Sequence, residues 1–137
     1  MKNEVYEVKP MTIILSKLIH FSKFYNEVKV TKIPVKTAYK LNKLATAIDE
    51  QNQFYGEQLS LILGNCADRG EDGNYIPTND NIGVKILDDK KQEFIGRMNE
   101  LLLLEVELPD ITFDIEEFGN VELTMESFNL ITPFLKD

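Results

Sequence analysis

Two stretches with helical character, separated by a turn-rich break, constrain the fold of this chain more than any other feature. The first covers residues 34–63 and the second covers residues 88–104, while Gly, Asn and Asp crowd the segment 64–87 between them. Helices joined in this way usually fold back on each other as an antiparallel hairpin. The sequence therefore predicts an α+β fold, in which a long antiparallel helical hairpin is accompanied by short β-strands and flanking helices.

Patterns before the first arm of this hairpin predict three of the flanking elements. The apolar residues of segment 11–25 recur at helical spacing, which indicates an amphipathic helix. Apolar and polar residues alternate in segments 4–9 and 27–32, which indicates two short strands.

The inner ends of the two arms carry turn and capping signals. Gly64 and Asn65 predict the C-cap of the first arm. Asp88 and Asp89 predict the N-cap and first turn of the second arm. The tip, residues 64–87, is either a small β-ribbon or a loop, and its many turn residues favour the loop.

Further elements are expected after the second arm. Alternation predicts strands at residues 105–108 and 121–123, with residues 111–113 as a continuation of the first. Thr124 is expected to cap a last helix, which Pro133 would kink or end.

The first arm has a seam of residues at alternating spacings of three and four, close to a heptad repeat: Leu41, Leu44, Ile48, Gln51, Tyr55, Gln58 and Ile62. Two of these positions are Gln, and so polar a seam suits a hairpin or an oligomer better than a dry core. We expect contact with a second copy or a partner through Gln51, Tyr55, Gln58 and Ile62. Replacing Tyr55 and Ile62 with Asp would then abolish oligomers and leave the fold intact.

Charge is divided unevenly along the 137 residues, whose number suits a single domain spanning 1–137. Residues 1–45 hold nine lysines and three glutamates, a net charge of +6, whereas residues 100–137 hold ten acids and one lysine, a net charge of −9. Three interpretations remain open. The two parts neutralise each other within one fold, copies of the chain associate head to tail, or the acidic part faces a basic partner.

The acidic C-terminal part, residues 105–137, has eight acids between residues 105 and 126. They alternate with the apolar residues Phe113, Ile115, Phe118 and Phe128. Such a surface could imitate a phosphate backbone or cover a basic groove, and the alternative is an ordinary solubilising surface. If the surface is functional, we expect Glu116, Glu117 and Glu122 to contact the partner.

The sequence offers little to catalysis, metals or cofactors. His20 and Cys66 are the only residues of their types, and neither has an acidic or nucleophilic neighbour suited to activate it. The oxygen-rich segment 68–81 does not match the twelve-residue calcium loop, and one Cys with one His cannot form a closed zinc site. No glycine-rich phosphate loop occurs. We therefore expect no enzyme activity and no cofactor.

Direct nucleic-acid binding is also not expected. Lysines recur three or four residues apart along the front of the chain, at Lys29, Lys32, Lys36, Lys40 and Lys43. This part of the chain has no arginine and few aromatic residues between the lysines, so a solvated face that pairs with the acidic part is favoured over a phosphate-binding stripe.

Two segments carry a resemblance to a known family. They are Lys32-Ile33-Pro34-Val35-Lys36, which opens the first arm, and residues 99–108, which pass from a helix into an acidic strand. Together with the Asp-Gly-Asn middle, they make residues 30–135 resemble a family of short bacteriophage proteins of unknown function from Gram-positive hosts. The resemblance implies a phage or prophage origin and supplies no catalytic residues.

These observations predict a non-enzymatic protein that acts through protein–protein contacts. The expected role is a virion, tail or assembly accessory, and the alternative is a counter-defence inhibitor whose acidic surface blocks a host nuclease or immune factor. The single cysteine suits a reducing compartment, and the first residues lack the apolar core of a signal peptide. We expect the cytoplasm of a bacterial host, with virion association as the alternative, and no membrane span.

Overall fold

The sheet of this protein joins a strand from the front of the chain to one from the acidic part. The computed structural model describes residues 11–119 and 121–136. In this part, strand β1 (Met11–Ile14) pairs antiparallel with strand β2 (Glu105–Leu108). Ile13 lies opposite Val106 and both are buried, so one face of the sheet points into the core.

The amphipathic helix expected over residues 11–25 is wrong in its first half. Thr12, Ile13 and Ile14 are three successive β-branched residues, which lose side-chain freedom in a helix and fit a strand well. The partner strand that completes their hydrogen bonds is far away in sequence. Apolar spacing alone therefore could not distinguish the two structures.

Helix α1 spans Phe21–Val28, so the strand expected over residues 27–32 is also wrong. Phe21, Phe24 and Val28 are the buried residues of this helix, and their spacing makes one helical face. Val28 is fully buried whereas Val30 is exposed, so these two valines do not share a strand face.

The two arms are present as helix α2 (Val35–Cys66) and helix α3 (Lys91–Leu102). Their antiparallel course follows from two contacts. The Sγ atom of Cys66 lies 3.2 Å from Glu93 near the start of α3, and Ile62 faces the same small cavity as Leu101 near its end. Together with the β1–β2 sheet, these helices confirm the predicted α+β fold class.

The capping predictions for the arms are wrong by a few residues. Helix α2 continues through Gly64 and Asn65 and ends at Cys66. Asp88 begins a 3-10 turn, and its carboxylate pairs with Lys91 at 3.1 Å instead of capping α3.

The tip between the arms is organised by paired backbone rather than by regular strands. Isolated antiparallel bridges join Ala67 to Ile86, Arg69 to Tyr75 and Pro77 to Val84. Gly73 adopts a φ of 81°, which permits the tight turn that the Asp-Gly pair predicts. Of the two interpretations left open, the structure is nearer to a small ribbon.

The last helix, α4, spans Met125–Ile131 and is capped by Thr124, as predicted. Pro133 lies in the 3-10 turn that follows. Residues 121–123 form no strand, and in segment 111–113 only Phe113 makes a bridge, with Leu135. The strand expected over residues 4–9 lies outside the described residues.

The described chain divides into two compact units, and the prediction of a single domain stays a prediction. Unit 1 comprises the described parts of Met1–Asn52 and Glu105–Asp137, and unit 2 is Gln53–Leu104. The core of unit 1 is built around linked phenylalanine rings, with centroid distances of 5.1–5.7 Å: Phe21, Phe24, Phe113, Phe118 and Phe134. Tilted and edge-to-face pairs of this kind add to the stabilisation from burial.

Candidate protein-binding groove

The acidic part of unit 1 folds around an open groove of about 370 Å³. One wall is the 3-10 turn Ile115–Phe118, and the other is helix α4. Gly119 adopts a φ of 63° at the end of the turn, a backbone conformation that a side chain would strain. A glycine is therefore favoured where this turn ends.

The groove is lined mainly by apolar side chains, namely Ile115, Val121, Leu123, Met125, Phe128 and Leu135. Three of them are exposed on its outer surface, with exposed fractions of 57% for Ile115, 77% for Met125 and 36% for Phe128. Apolar side chains gathered at one exposed place mark a surface that another molecule can cover. We call this surface the groove. Glu116 and Glu122 do not line it, but both are exposed, and each directly follows a lining residue in the chain, Ile115 and Val121 respectively. We call the five residues Ile115, Glu116, Glu122, Met125 and Phe128 its lip.

Glu117 fastens the first wall to helix α2. Its carboxylate accepts the backbone N–H of Asp114 at 2.6 Å and an ammonium hydrogen of Lys40 at 3.0 Å. The hydroxyl of the buried Thr37 donates to the Glu117 carbonyl at 3.0 Å. Burial raises the pKa of Glu117, but the Asp114 N–H and the Lys40 ammonium outweigh it, so the pKa lies below its ordinary value.

The second wall is fastened in a similar way. The Thr124 hydroxyl accepts the backbone N–H of Ser127 at 3.1 Å, which caps α4, and it donates to Glu27 at 3.3 Å. Lys23 donates to Glu126 at 2.8 Å and lowers the pKa of that carboxyl. The Lys23–Glu126 pair is exposed and adds little stability.

The basic and acidic parts of the chain therefore meet within unit 1. The ion pairs Lys23–Glu126 and Lys40–Glu117 join them directly, as the neutralisation interpretation predicts. Neutralisation is incomplete, because Glu116 and Glu122 are exposed and make no ion pair with any residue between 11 and 136 that the structure describes.

The three acids predicted to bind a partner thus have different surroundings. Glu117 is used inside the fold, whereas Glu116 and Glu122 are exposed and pair with no Lys or Arg among the described residues. Their contact with a partner stays a prediction.

The apolar residues of the acidic part also separate into two groups. Phe113 and Phe118 belong to the core, whereas Ile115 and Phe128 are exposed at the groove. Sequence reasoning missed Met125, the most exposed of the lip's apolar side chains. Its position directly after the Thr124 cap was the available signal, because a first-turn residue on the outer side of a short helix has few neighbours to bury it.

The predicted seam of α2 is not one continuous surface. Leu41, Leu44 and Ile48 are fully buried core residues, and Ile62 is only 3% exposed. The residues between them are half-buried, namely Gln51, Tyr55 and Gln58. Ile62→Asp would place a charge in an apolar site and damage the fold, so the expectation that this change leaves the fold intact is wrong. Oligomerisation stays a prediction, and Tyr55→Asp alone tests it.

The sole cysteine is shielded. Cys66 is fully buried, and burial raises the pKa of its thiol, as does its hydrogen bond to Glu93. The thiolate is the reactive form of cysteine, so this environment disfavours nucleophilic chemistry.

His20 is exposed just before α1. Within the described residues, no group of His, Cys, Asp and Glu is arranged to hold a metal ion.

Comparisons of the chain with protein-family models, with curated proteins and with solved structures find no match. None of the described helices combines the length and apolar character that crossing a membrane requires.

Proposed function

We propose that this chain is a non-enzymatic binding protein whose groove holds a basic amphipathic segment of a partner protein. The observation that carries the proposal is a groove with exposed apolar side chains, next to which the chain places the exposed acids Glu116 and Glu122. Ile115, Met125 and Phe128 would accept apolar anchors, while Glu116 and Glu122 would face Lys or Arg of the same segment.

The charge of the chain supports this choice of partner. The net charge is −8, and residues 100–137 account for more than this excess. A field of one sign speeds the encounter with a partner of opposite sign and disfavours acidic competitors. A basic partner is therefore favoured over an acidic one.

The biological setting that we propose follows the family resemblance. The partner is a phage virion, tail or assembly protein, so that the chain acts as an accessory during assembly. A host nuclease or immune factor is the alternative partner, and the chain then acts as a counter-defence inhibitor through the same groove.

The test is capture of partners by the tagged protein from infected and uninfected host lysate, after nuclease treatment, with three proteins compared. One is unchanged, one carries Met125→Ser and Phe128→Ser, and one carries Glu116→Lys and Glu122→Lys. We expect a partner that the unchanged protein holds and that both variants lose at least tenfold, equivalent to about 1.4 kcal/mol. Its binding should also weaken as salt rises.

Matched control variants distinguish binding in the groove from nonspecific binding. Ile82→Ser removes an apolar side chain that is 88% exposed in unit 2, and Glu50→Lys with Glu57→Lys makes the same charge change on exposed positions of α2. Controls that lose the partner as strongly as the groove variants would refute the proposal. Virion proteins captured only after infection would indicate assembly, whereas a host protein captured from both lysates would indicate inhibition.

A further inference from the structure

A second, larger and open cavity in unit 1 is lined by charged side chains, which the lining of the groove lacks. Its volume is about 700 Å³, within the range of small-molecule sites. One side is the outer face of α2, and the other is the segment that follows β2, together with Lys136 near the C-terminal end. Its residues are distinct from those of the groove, so it is a separate site.

Three ammonium groups and one carboxylate lie among the lining residues, namely those of Lys40, Lys43, Lys136 and Asp110. The lining residues alone sum to +2, while Glu117 and Asp114 pair with Lys40 and Lys136 from outside the lining. Lys43 makes no such pair within the described part of the chain, so its ammonium is the group on this surface that most favours a negatively charged ligand.

The three lysines differ in the contacts that they already make within the fold. Lys40 is engaged by Glu117 and lies 4.6 Å from the centre of the Phe113 ring. Lys136 lies 3.9 Å from the Asp114 carboxylate, at the limit of an ion pair. Lys43 makes no ion pair with any residue in the described part of the chain. Lys43 and Lys136 are therefore the groups best able to take up an added anion.

An aromatic ring lies beside the Lys43 ammonium. The Lys43 nitrogen lies 5.1 Å from the centre of the Tyr39 ring, and Tyr39 is 62% exposed. An exposed aromatic ring offers a flat apolar face on which a planar ring of a ligand can stack. Asn42, also in the lining, has an exposed amide that can hydrogen-bond to such a ring.

We propose that this cavity binds a small molecule that carries a phosphate on a planar ring system, the chemistry of a mononucleotide. Lys43 and Lys136 hold the phosphate, and Tyr39 stacks on the ring. No glycine-rich loop is needed, because a monophosphate can be held by two ammonium groups, whereas a triphosphate needs a cradle of backbone N–H groups.

The test adds three probes in turn to the full chain, namely adenosine monophosphate, inorganic phosphate and adenosine. Binding is measured by NMR chemical shifts and by calorimetry. We expect the nucleotide to bind at least tenfold more tightly than either of its parts, because both charge and stacking contribute. Shift changes should centre on residues 39–46 and on Lys136. No binding of the nucleotide at millimolar concentration would overturn the proposal, as would phosphate alone binding equally well.

Two variants and one control complete the test. Lys43→Gln and Tyr39→Ser should each weaken nucleotide binding about tenfold, and Tyr39→Ser should leave phosphate binding unchanged. Lys17→Gln is the control, because it removes the same charge from an exposed position outside the cavity. Equal weakening by Lys17→Gln and Lys43→Gln would mean general attraction to a lysine-bearing surface, and would refute the site. Chemical shifts outside residues 39–46 report whether each variant keeps its fold.

Discussion

Unit 1 and unit 2 are built with very different interiors. Sixteen apolar side chains of the described part of unit 1 are buried, and five of them are phenylalanines in mutual contact. Unit 2 has four buried apolar side chains, namely Ile62, Cys66, Ala67 and Leu101. Since the stabilisation from burial grows with the apolar area removed from water, burial stabilises unit 1 more than unit 2.

Unit 2 is held by other means. Its tip depends on backbone hydrogen bonds such as that from the N–H of Asp68 to the carbonyl of Lys85, at 2.9 Å. Its helices have exposed apolar residues, including Leu61 and Ile95, each 57% exposed. Regions with few buried contacts open at lower free energy than well-packed cores. We therefore expect unit 2 to open before unit 1, and the following changes test this difference.

The largest effect is expected from Phe113→Ala in unit 1. Phe113 is fully buried and packs against Phe118, so its loss leaves a large cavity and should cost about 3–5 kcal/mol of the free energy of unfolding. Urea unfolding followed by circular dichroism measures the cost. Ile115→Ala, two residues away but exposed, is the control and should cost less than about 0.5 kcal/mol. Similar costs at the two positions would contradict the role assigned to the phenylalanine core.

A smaller effect is expected from Ile62→Ala in unit 2. We expect a loss of about 2 kcal/mol, the low end for a buried isoleucine, because so few buried neighbours surround it. Buried Cys66 reports the opening, since a thiol reagent reaches it only when unit 2 opens. The labelling rate should rise roughly thirtyfold in the variant.

The matched control for this change is Leu61→Ala, because Leu61 is the exposed neighbour on the same helix. It should leave the labelling of Cys66 near the unchanged rate. Labelling of Cys66 in Phe113→Ala tests whether the two units unfold independently. If Cys66 is labelled as much faster in Phe113→Ala as in Ile62→Ala, the two units unfold together, which would contradict the expectation that unit 2 opens first.

A local effect of about 1 kcal/mol is expected from Thr124→Ala in unit 1, because this change removes the cap of α4. Amide hydrogen exchange should become faster in the first turn of α4, at Ser127 and Phe128, whose N–H groups bond to Thr124. Thr124→Ser keeps the capping oxygen and should retain most of the protection. If exchange in α4 is unaffected by Thr124→Ala, the cap does not hold this wall of the groove.

The smallest effect is expected from Glu117→Gln, about 0.5 kcal/mol at neutral pH, and it should depend on pH. The pKa of Glu117 is lowered in the folded protein, so its stabilising contribution is present above the unfolded value and is lost as the pH falls through the folded value. Urea midpoints of the unchanged protein and of Glu117→Gln should therefore converge below about pH 4. Glu116→Gln, which removes an exposed carboxylate, should have the same urea midpoint as the unchanged protein at every pH. Equal midpoints of Glu117→Gln and the unchanged protein at neutral pH would contradict the contact assigned to Glu117.

Local patterns were sufficient for several parts of the fold. The two arms were expected at 34–63 and 88–104 and are found at Val35–Cys66 and Lys91–Leu102. Strand β2 and the Thr124 cap were also predicted correctly. The arms and the cap depend on hydrogen bonds within a few residues, and β2 was recognised from the alternation of its side chains, so a single sequence displays these signals directly.

The groove was predicted only in part. Alternating acids and apolar residues pointed to the correct segment, yet Glu117 proved to be an internal contact and Met125 was missed. Both outcomes depend on what stands opposite each side chain. Lys40, which engages Glu117, is 77 residues away in the chain.

The sequence by itself determined the helical arms, the turn-rich tip, the cap of α4 and the uneven distribution of charge, because each arises from neighbours along the chain. Tertiary structure alone decided that Met11–Ile14 is a strand and that Phe113 is buried while Ile115 is exposed. It also decided that Glu117 is the acid of the Glu116–Glu117 pair that binds Lys40 within the fold. The physical reason is that strand pairing, burial and ion pairing each need a partner, and in unit 1 those partners come from distant parts of the chain.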